Sequence, residues 1–160
     1  MSRSDHPVFV HFLLRLQEEA DRFVKERLDR IGLDIGRTHL EILLYLARKG
    51  ESAMQPLARA IHRDKSTLTA LVQRLEREQL IERSESEDRR IRPIRLTPKA
   101  QKLRPALLRI LPDLHRHLSR SLSRQERETL RRLLRGIFLS VVDAERSPNI
   151  IYEKPGRDAP

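Results

Sequence analysis

Four side chains between residues 66 and 77 recur at the spacing of one helix face: Ser66, Ala70, Gln73 and Arg77. We call these four residues the polar face. At about 100° per residue they lie opposite an apolar stripe made of Leu68, Leu71, Val72 and Leu75. The polar face carries a hydroxyl, a methyl, an amide and a guanidinium, and it lacks the dense Glu and Lys of a typical solvated helix. Such groups can match donors, acceptors and methyls on base edges in a DNA major groove.

Other kinds of chemistry find little support in the chain. It contains no Gly-rich phosphate loop, no Gly-x-Ser-x-Gly elbow and no His-Glu-x-x-His motif. The absence of cysteine excludes disulfides and thiolate metal sites. His115 and His117 would lie about 200° apart on a helix, so they cannot chelate one ion together. We therefore expect no enzymatic activity, no cofactor and no metal.

The elements around the polar face predict how it is positioned. Asp64 is placed to cap the helix that carries it, because a carboxylate accepts from free N–H groups at the positive helix end. A shorter helix over 55–61 precedes it, and His62 and Arg63 form the turn between them. Two short helices with such a turn have the spacing of a helix-turn-helix.

A hairpin is predicted directly after the second helix. Strand-like residues at 80–83 and 91–96 flank a charged run that contains Arg89 and Arg90. These arginines could belong to an ordinary solvated loop. Beside a recognition helix, they could instead reach the DNA backbone or a narrow minor groove, which attracts arginine.

The segments HRDKSTLTALVQRLEREQLIER and EDRRIRPIRLT resemble the MarR (multiple antibiotic resistance regulator) family of dimeric transcription factors. The Asp-Arg-Arg motif followed by Leu-Thr is the most specific part of the resemblance, which extends more loosely over residues 6–142. It implies that Arg90 enters the minor groove and that Asp88 orients it through a charge-assisted hydrogen bond. Two departures are Gln79, where a helix-ending glycine is usual and a left-handed residue is therefore required, and His62 in place of a turn glycine.

The complete set of residues predicted to contact DNA is Gln55, Arg63, Lys65, Ser66, Thr67, Thr69, Ala70, Gln73, Arg74, Asp88, Arg89 and Arg90.

Long helices are predicted at both ends of the chain, over 7–30 and from a Ser123–Glu126 capping box to about residue 144. Their apolar stripes either pack on their own domain or, as the resemblance implies, meet a second subunit. The predicted dimerisation residues are Phe9, Phe12, Leu13, Leu16, Leu130, Leu134 and Phe138.

A helix capped by Asp34 and ending before Gly50 has almost no polar face in its second half, which predicts burial behind the helix-turn-helix. His39 and Tyr45 on this helix are candidate ligand-pocket residues, because family pockets open nearby. Thr97 and Pro98 predict the start of another helix, and Pro112 within it predicts a bend or a break near residues 108–112.

The expected architecture is α+β and mostly α: a winged helix-turn-helix with long N- and C-terminal dimerisation helices. Its parts are an N-terminal dimerisation helix (1–33), a DNA-binding region (34–97), C-terminal dimerisation helices (98–146) and a flexible tail (147–160). The net charge of +10 over 160 residues favours a polyanionic partner. No apolar run is long enough to span a membrane and no secretory signal is apparent, so we expect a cytoplasmic, nucleoid-associated protein.

The favoured function is a dimeric regulator that binds a pseudo-palindromic duplex, represses, and responds to a small aromatic or anionic effector, as the resemblance implies. Two other functions remain open. One is a nonspecific architectural DNA-binding protein of the same fold, and the other is a basic helical module that binds proteins or membrane surfaces.

Overall fold

The fold is known from a computed structural model that describes residues 6–84 and 92–141. Within those ranges it contains six helices and a small sheet. The elements in chain order are α1 (His6–Arg30), α2 (Arg37–Lys49), β1 (Glu51–Ser52), α3 (Met54–Ala60), α4 (Lys65–Arg77), β2 (Ile81–Arg83), β3 (Ile94–Leu96), α5 (Pro98–Leu118) and α6 (Arg124–Val141). The predicted fold class, mostly helical with a winged helix-turn-helix, is confirmed.

Helix α2 lies at the centre of the core, as its composition predicts. Six consecutive residues, 42–47, are buried on it. The helix ends at Gly50, whose φ of 86° suits glycine. Arg104 of α5 donates from Nε to the Ala47 carbonyl oxygen at 2.9 Å and so satisfies a carbonyl at this helix end. Helix α2 is therefore the rigid support on which α3 and α4 pack.

The predicted start of α2 at Asp34 is wrong. The helix begins at Arg37, with Gly36 as its N-cap. The Asp34 carboxylate instead accepts from Lys25 Nζ of α1 at 2.9 Å, and Ile35 is buried. The ion pair with Lys25 and the burial of Ile35 accompany this later start of the helix.

The sheet has the strand order β1-β3-β2, with both pairs antiparallel. Arg95 at the centre lies opposite Glu51 on one side and Glu82 on the other. The hairpin of β2 and β3 was predicted, whereas the two-residue β1 was not, because it has no periodicity of its own. This sheet forms the base of the wing beside α4.

Helix α5 is continuous over Pro98–Leu118 and contains both Pro105 and Pro112, so a break, one of the two predicted alternatives, does not occur. Pro112 is exposed, while Leu107 and Ile110 on the opposite side are buried and keep the helix on the core. The predicted N-cap is confirmed, since Thr97 Oγ1 accepts from the Ala100 N–H at 3.2 Å.

The terminal helices meet the core over only part of their length. At the junction of α1 with α5, His117 Nε2 lies 3.0 Å from Glu19 Oε1, and its ring stacks on Phe23. The Ser123–Glu126 capping box opens α6, as predicted. No residue of α6 is buried within the described part of the chain.

Candidate nucleic-acid interface

Helix α4 presents the predicted polar face on the surface. Its apolar side is anchored by three buried residues, Leu68, Val72 and Leu75. On the opposite side, the four residues of the polar face are exposed, as are Gln55 at the start of α3 and Arg63, Lys65 and Thr67 around the turn. Burial of one side thus fixes which side of α4 faces solvent.

Two residues in left-handed conformation bend the chain into and out of this region. His62 has a φ of 52° in the turn before α4, and Gln79 has a φ of 57° just after it. The left-handed conformation predicted at Gln79 is therefore confirmed. The carbonyl oxygens of Gln79 and Glu78 accept from Thr97 Oγ1 at 2.7 Å and Lys99 Nζ at 2.9 Å, respectively. These bonds satisfy carbonyls at the end of α4 and tie them to the start of α5.

The hydroxyl groups at the start of α4 are held by local hydrogen bonds. Asp64 is the predicted N-cap and accepts from the Thr67 N–H at 2.8 Å. It also accepts from Ser66 Oγ at 2.5 Å and from Thr67 Oγ1 at 2.6 Å. Thr69 Oγ1 donates to the Lys65 carbonyl oxygen at 2.7 Å. The hydrogen bonds from Ser66 and Thr67 lower the pKa of the Asp64 carboxyl far below its usual range, so it is ionised near neutral pH.

Arg74 lies at the edge of the polar face, toward the body of the protein. It is half-buried, and its guanidinium forms an ion pair with Glu78 of 2.9 Å. Its charge reaches His39 on α2: burial first, and then the charge of Arg74, lower the pKa of His39. The two candidate pocket residues differ in exposure, because His39 is half-buried whereas Tyr45 is buried in the core.

Polar contacts join the strands at the base of the wing to one another and to α4. The buried Ser84 hydroxyl lies 3.2 Å from both Glu51 Oε2 and the Pro93 carbonyl oxygen. Arg83 at the end of β2 pairs with Glu76 of α4 at 3.0 Å. The predicted wing-tip residues Asp88, Arg89 and Arg90 lie outside the described residues, which resume at the exposed Arg92.

This arrangement of helices and wing matches known proteins. Residues 35–91, which begin just before α2 and include α3, α4 and β2, match the model of the MarR family. This segment of the chain is therefore similar to the DNA-binding domain of MarR-family proteins. No curated protein matches it in a sequence search.

Solved structures share the fold of most of this chain. The ligand-free form of the organohalide-sensing transcriptional regulator RdhR has a TM-score of 0.78 at 20% identity and covers 97% of this chain and 93% of its own. Its form bound to 2,4-dichlorophenol gives 0.77 at 21% identity, covering 92% and 89%. MepR from S. aureus, solved in complex with DNA, gives 0.74 at 25% identity, covering 83% and 98%.

The described residues show neither a membrane span nor a cluster of metal ligands. No helix in residues 6–84 and 92–141 has the length and hydropathy of a membrane span. Over the same ranges, no three His, Asp or Glu side chains are grouped as metal ligands would be.

The sequence predicts Asp64 only as a helix cap. Its bonds to two hydroxyls were not predicted, although the spacing Asp-x-Ser-Thr is one in which short side chains often hydrogen-bond locally.

Proposed function

We propose that this protein is a dimeric, sequence-specific DNA-binding transcriptional regulator in which α4 enters the major groove. The observation that carries the proposal is the surface exposure of the polar face while the opposite side of α4 is buried. In this arrangement Gln73 is a candidate to read adenine through its amide. The exposed Arg63 and Lys65 would contact phosphates, and the wing-tip Arg90 would enter the minor groove.

Exposed apolar surface supports a dimer. Among the described residues, the exposed large hydrophobic side chains lie on α1, α6 and at the end of α5. The seven predicted dimerisation residues all belong to this set. Between residues 8 and 16 exposed apolar side chains cover roughly two-thirds of the circumference of α1, a wider apolar surface than a helix needs to pack on one neighbour. We therefore propose that residues 1–33 and 98–146 form a shared dimer body that carries two DNA-binding regions of residues 34–97.

Two-fold symmetry defines the expected duplex and the mode of regulation. The half-sites would form a pseudo-palindrome with centres about 34 Å apart, one turn of the DNA helix. The protein would act in the cytoplasm at the nucleoid and repress by occupying a promoter, as the family resemblance implies.

A small aromatic or anionic effector would release the protein from DNA. Support comes from the half-buried His39 on α2, which lies close enough to α4 for the charge of Arg74 to lower its pKa, and from a neighbour of the same fold that was solved with 2,4-dichlorophenol. The effector would act because it binds the released arrangement of the two DNA-binding regions more tightly than the DNA-bound arrangement.

A gel-shift titration with duplex from the region upstream of its own gene tests the function. We expect binding that weakens about a thousandfold between roughly 50 and 200 mM salt if about six phosphates are contacted. Arg90→Ala should weaken binding further. Gln73→Ala should lose sequence preference at one position, whereas Lys65→Ala should weaken binding to every sequence alike.

Three outcomes distinguish the candidate functions. Preference for the upstream duplex over a scrambled competitor supports the regulator. Equal binding to both supports an architectural protein. Absence of any shift at low salt, together with co-sedimentation with anionic liposomes, refutes DNA binding and favours the membrane-surface module.

A further inference from the structure

The hydroxyl groups on and beside the polar face share one property: the proton of each is already donated within the protein. A hydroxyl has one proton to give and two lone pairs that accept. The partners of Ser66 and Thr67 are the oxygens of Asp64, and the partner of Thr69 is the Lys65 carbonyl oxygen. An ionised carboxylate and a carbonyl can only accept, so all three hydroxyls must be the donors. These three hydroxyls can therefore offer only lone pairs, as acceptors, to a molecule outside the protein.

The Asp64 carboxylate is also positioned to keep phosphates away from this end of α4. A helix N-terminus normally attracts anions through its free N–H groups and its dipole. Here the Thr67 N–H is used by Asp64, whose negative charge opposes the positive potential of the helix end. Both the hydroxyls and the carboxylate are thus unsuited to phosphate oxygens, which only accept.

We propose that Asp64 is a specificity-determining residue, because it makes Ser66 and Thr67 obligate acceptors that select hydrogen-bond donors on base edges. In the major groove those donors are the N4 amino group of cytosine and the N6 amino group of adenine. This inference rests on the proposed function, since it requires that α4 enter a major groove. It extends that function by naming the chemical group, an exocyclic amino group, that the start of α4 recognises in the major groove.

The proposal separates the roles of neighbouring side chains. Arg63 and Lys65 are exposed cations next to Asp64, and they take the phosphates that the carboxylate repels. Ser66 and Thr67 then face the bases, where accepting a hydrogen bond is an advantage. Donation of the hydroxyl proton to a carboxylate also polarises the oxygen and strengthens it as an acceptor.

The first experiment removes candidate donors from the DNA one at a time. Duplexes bound by the full-length protein are selected from a random pool, and the selected half-site is then remade with N4-methylcytosine or N6-methyladenine at single positions. Each modified base keeps the N–H needed for base pairing and loses the one that faces the major groove. We expect one or two positions per half-site at which methylation lowers the affinity about 3- to 10-fold, the range of one net hydrogen bond.

Variants of the protein decide whether Ser66 and Thr67 cause this sensitivity. Ser66→Ala or Thr67→Ala should bind the unmodified duplex more weakly and become insensitive to methylation at one of those positions. Ser140→Ala is the matched control, because the Ser140 hydroxyl on α6 also donates within the protein, to the Ile137 carbonyl oxygen at 2.7 Å. The control should keep the sensitivity of the wild type.

Asp64→Asn tests the role of the carboxylate itself. Asparagine caps helices as well as aspartate does, so α4 should still form. Its carboxamide has one acceptor oxygen and an NH₂ group that donates, so at least one hydroxyl must turn its proton outward. Repeated selection with this variant should replace cytosine or adenine at the affected position by guanine or thymine, whose major-groove O6, N7 and O4 atoms accept. Affinities are compared as ratios between sequences, since loss of a negative charge strengthens binding to all duplexes.

The outcomes separate this inference from the function on which it rests. Methylation sensitivity that disappears in Ser66→Ala or Thr67→Ala, with a changed preference in Asp64→Asn, supports it. A protein that selects a defined duplex but tolerates methylation everywhere, or an Asp64→Asn variant that selects the same sequence as the wild type, overturns this inference alone. A protein that retains no duplex at low salt overturns the proposed function as well.

Discussion

Replacement of Phe12 by alanine tests whether α1 forms the body of a dimer. Phe12 is 59% exposed in the isolated chain, so its removal leaves no cavity in the monomer. Full burial of a phenylalanine side chain is worth about 1.5–3 kcal/mol. Burial of the exposed part of Phe12 in the dimer is worth roughly 1.5 kcal/mol. Both copies lose this burial in a two-fold interface, so the free energy of dimerisation should fall by about 3 kcal/mol. The dimer dissociation constant should therefore rise about 100-fold.

Sedimentation equilibrium over a range of protein concentrations measures this constant directly. Gln73→Ala is the control, because Gln73 is exposed on the polar face and should affect DNA binding without changing the dissociation constant. A second comparison is Phe23→Ala. Phe23 is buried against the ring of His117 of its own chain, so its loss should lower the stability of each subunit. If Phe12→Ala dissociates at the same concentration as the wild type, the proposed role of α1 is wrong.

The remaining predictions concern stability. Gln79→Gly should raise the free energy of unfolding by about 0.5–1 kcal/mol, because relief of the left-handed strain at a φ of 57° outweighs the entropy cost of glycine. Urea denaturation measures it, and an equal gain in Gln79→Ala would contradict the explanation. Burial and the charge of Arg74 lower the pKa of His39, so the folded protein favours the neutral ring. The stability that neutral His39 contributes is therefore present above pH 6.5 and is lost as the pH falls. Thermal unfolding at fixed protein concentration should therefore show a smaller loss of stability on acidification in His39→Gln than in the wild type.

The elements predicted most accurately are those whose signals are local. The apolar stripe of α4, the Asp64 cap and the Ser123–Glu126 capping box depend on residues within two helical turns of one another. The left-handed Gln79 was instead predicted from the resemblance, because a helix-ending glycine is usual at this position in the family. Periodicity and capping act over such short distances that the chain itself contains the information.

The candidate interface was predictable in part for the same reason. The residues on the polar face follow from helical periodicity once α4 is identified. The hydrogen bonds of Ser66, Thr67 and Thr69 were not predicted, because they depend on side-chain rotamers that the residue types alone leave open.

The sequence by itself determined that α4 would form, where it would begin and end, and which of its sides would be apolar. Only the tertiary structure decided that α2 begins at Arg37, while Asp34 pairs with Lys25 of α1 and Ile35 is buried. It also decided that β1 joins the sheet, because a two-residue strand exists only by pairing with β3. The tertiary structure likewise decided that the polar face is exposed and that the apolar sides of α1 and α6 are left uncovered. Exposure and pairing depend on which distant segments meet, and contacts between residues far apart in the chain have no local pattern that would reveal them.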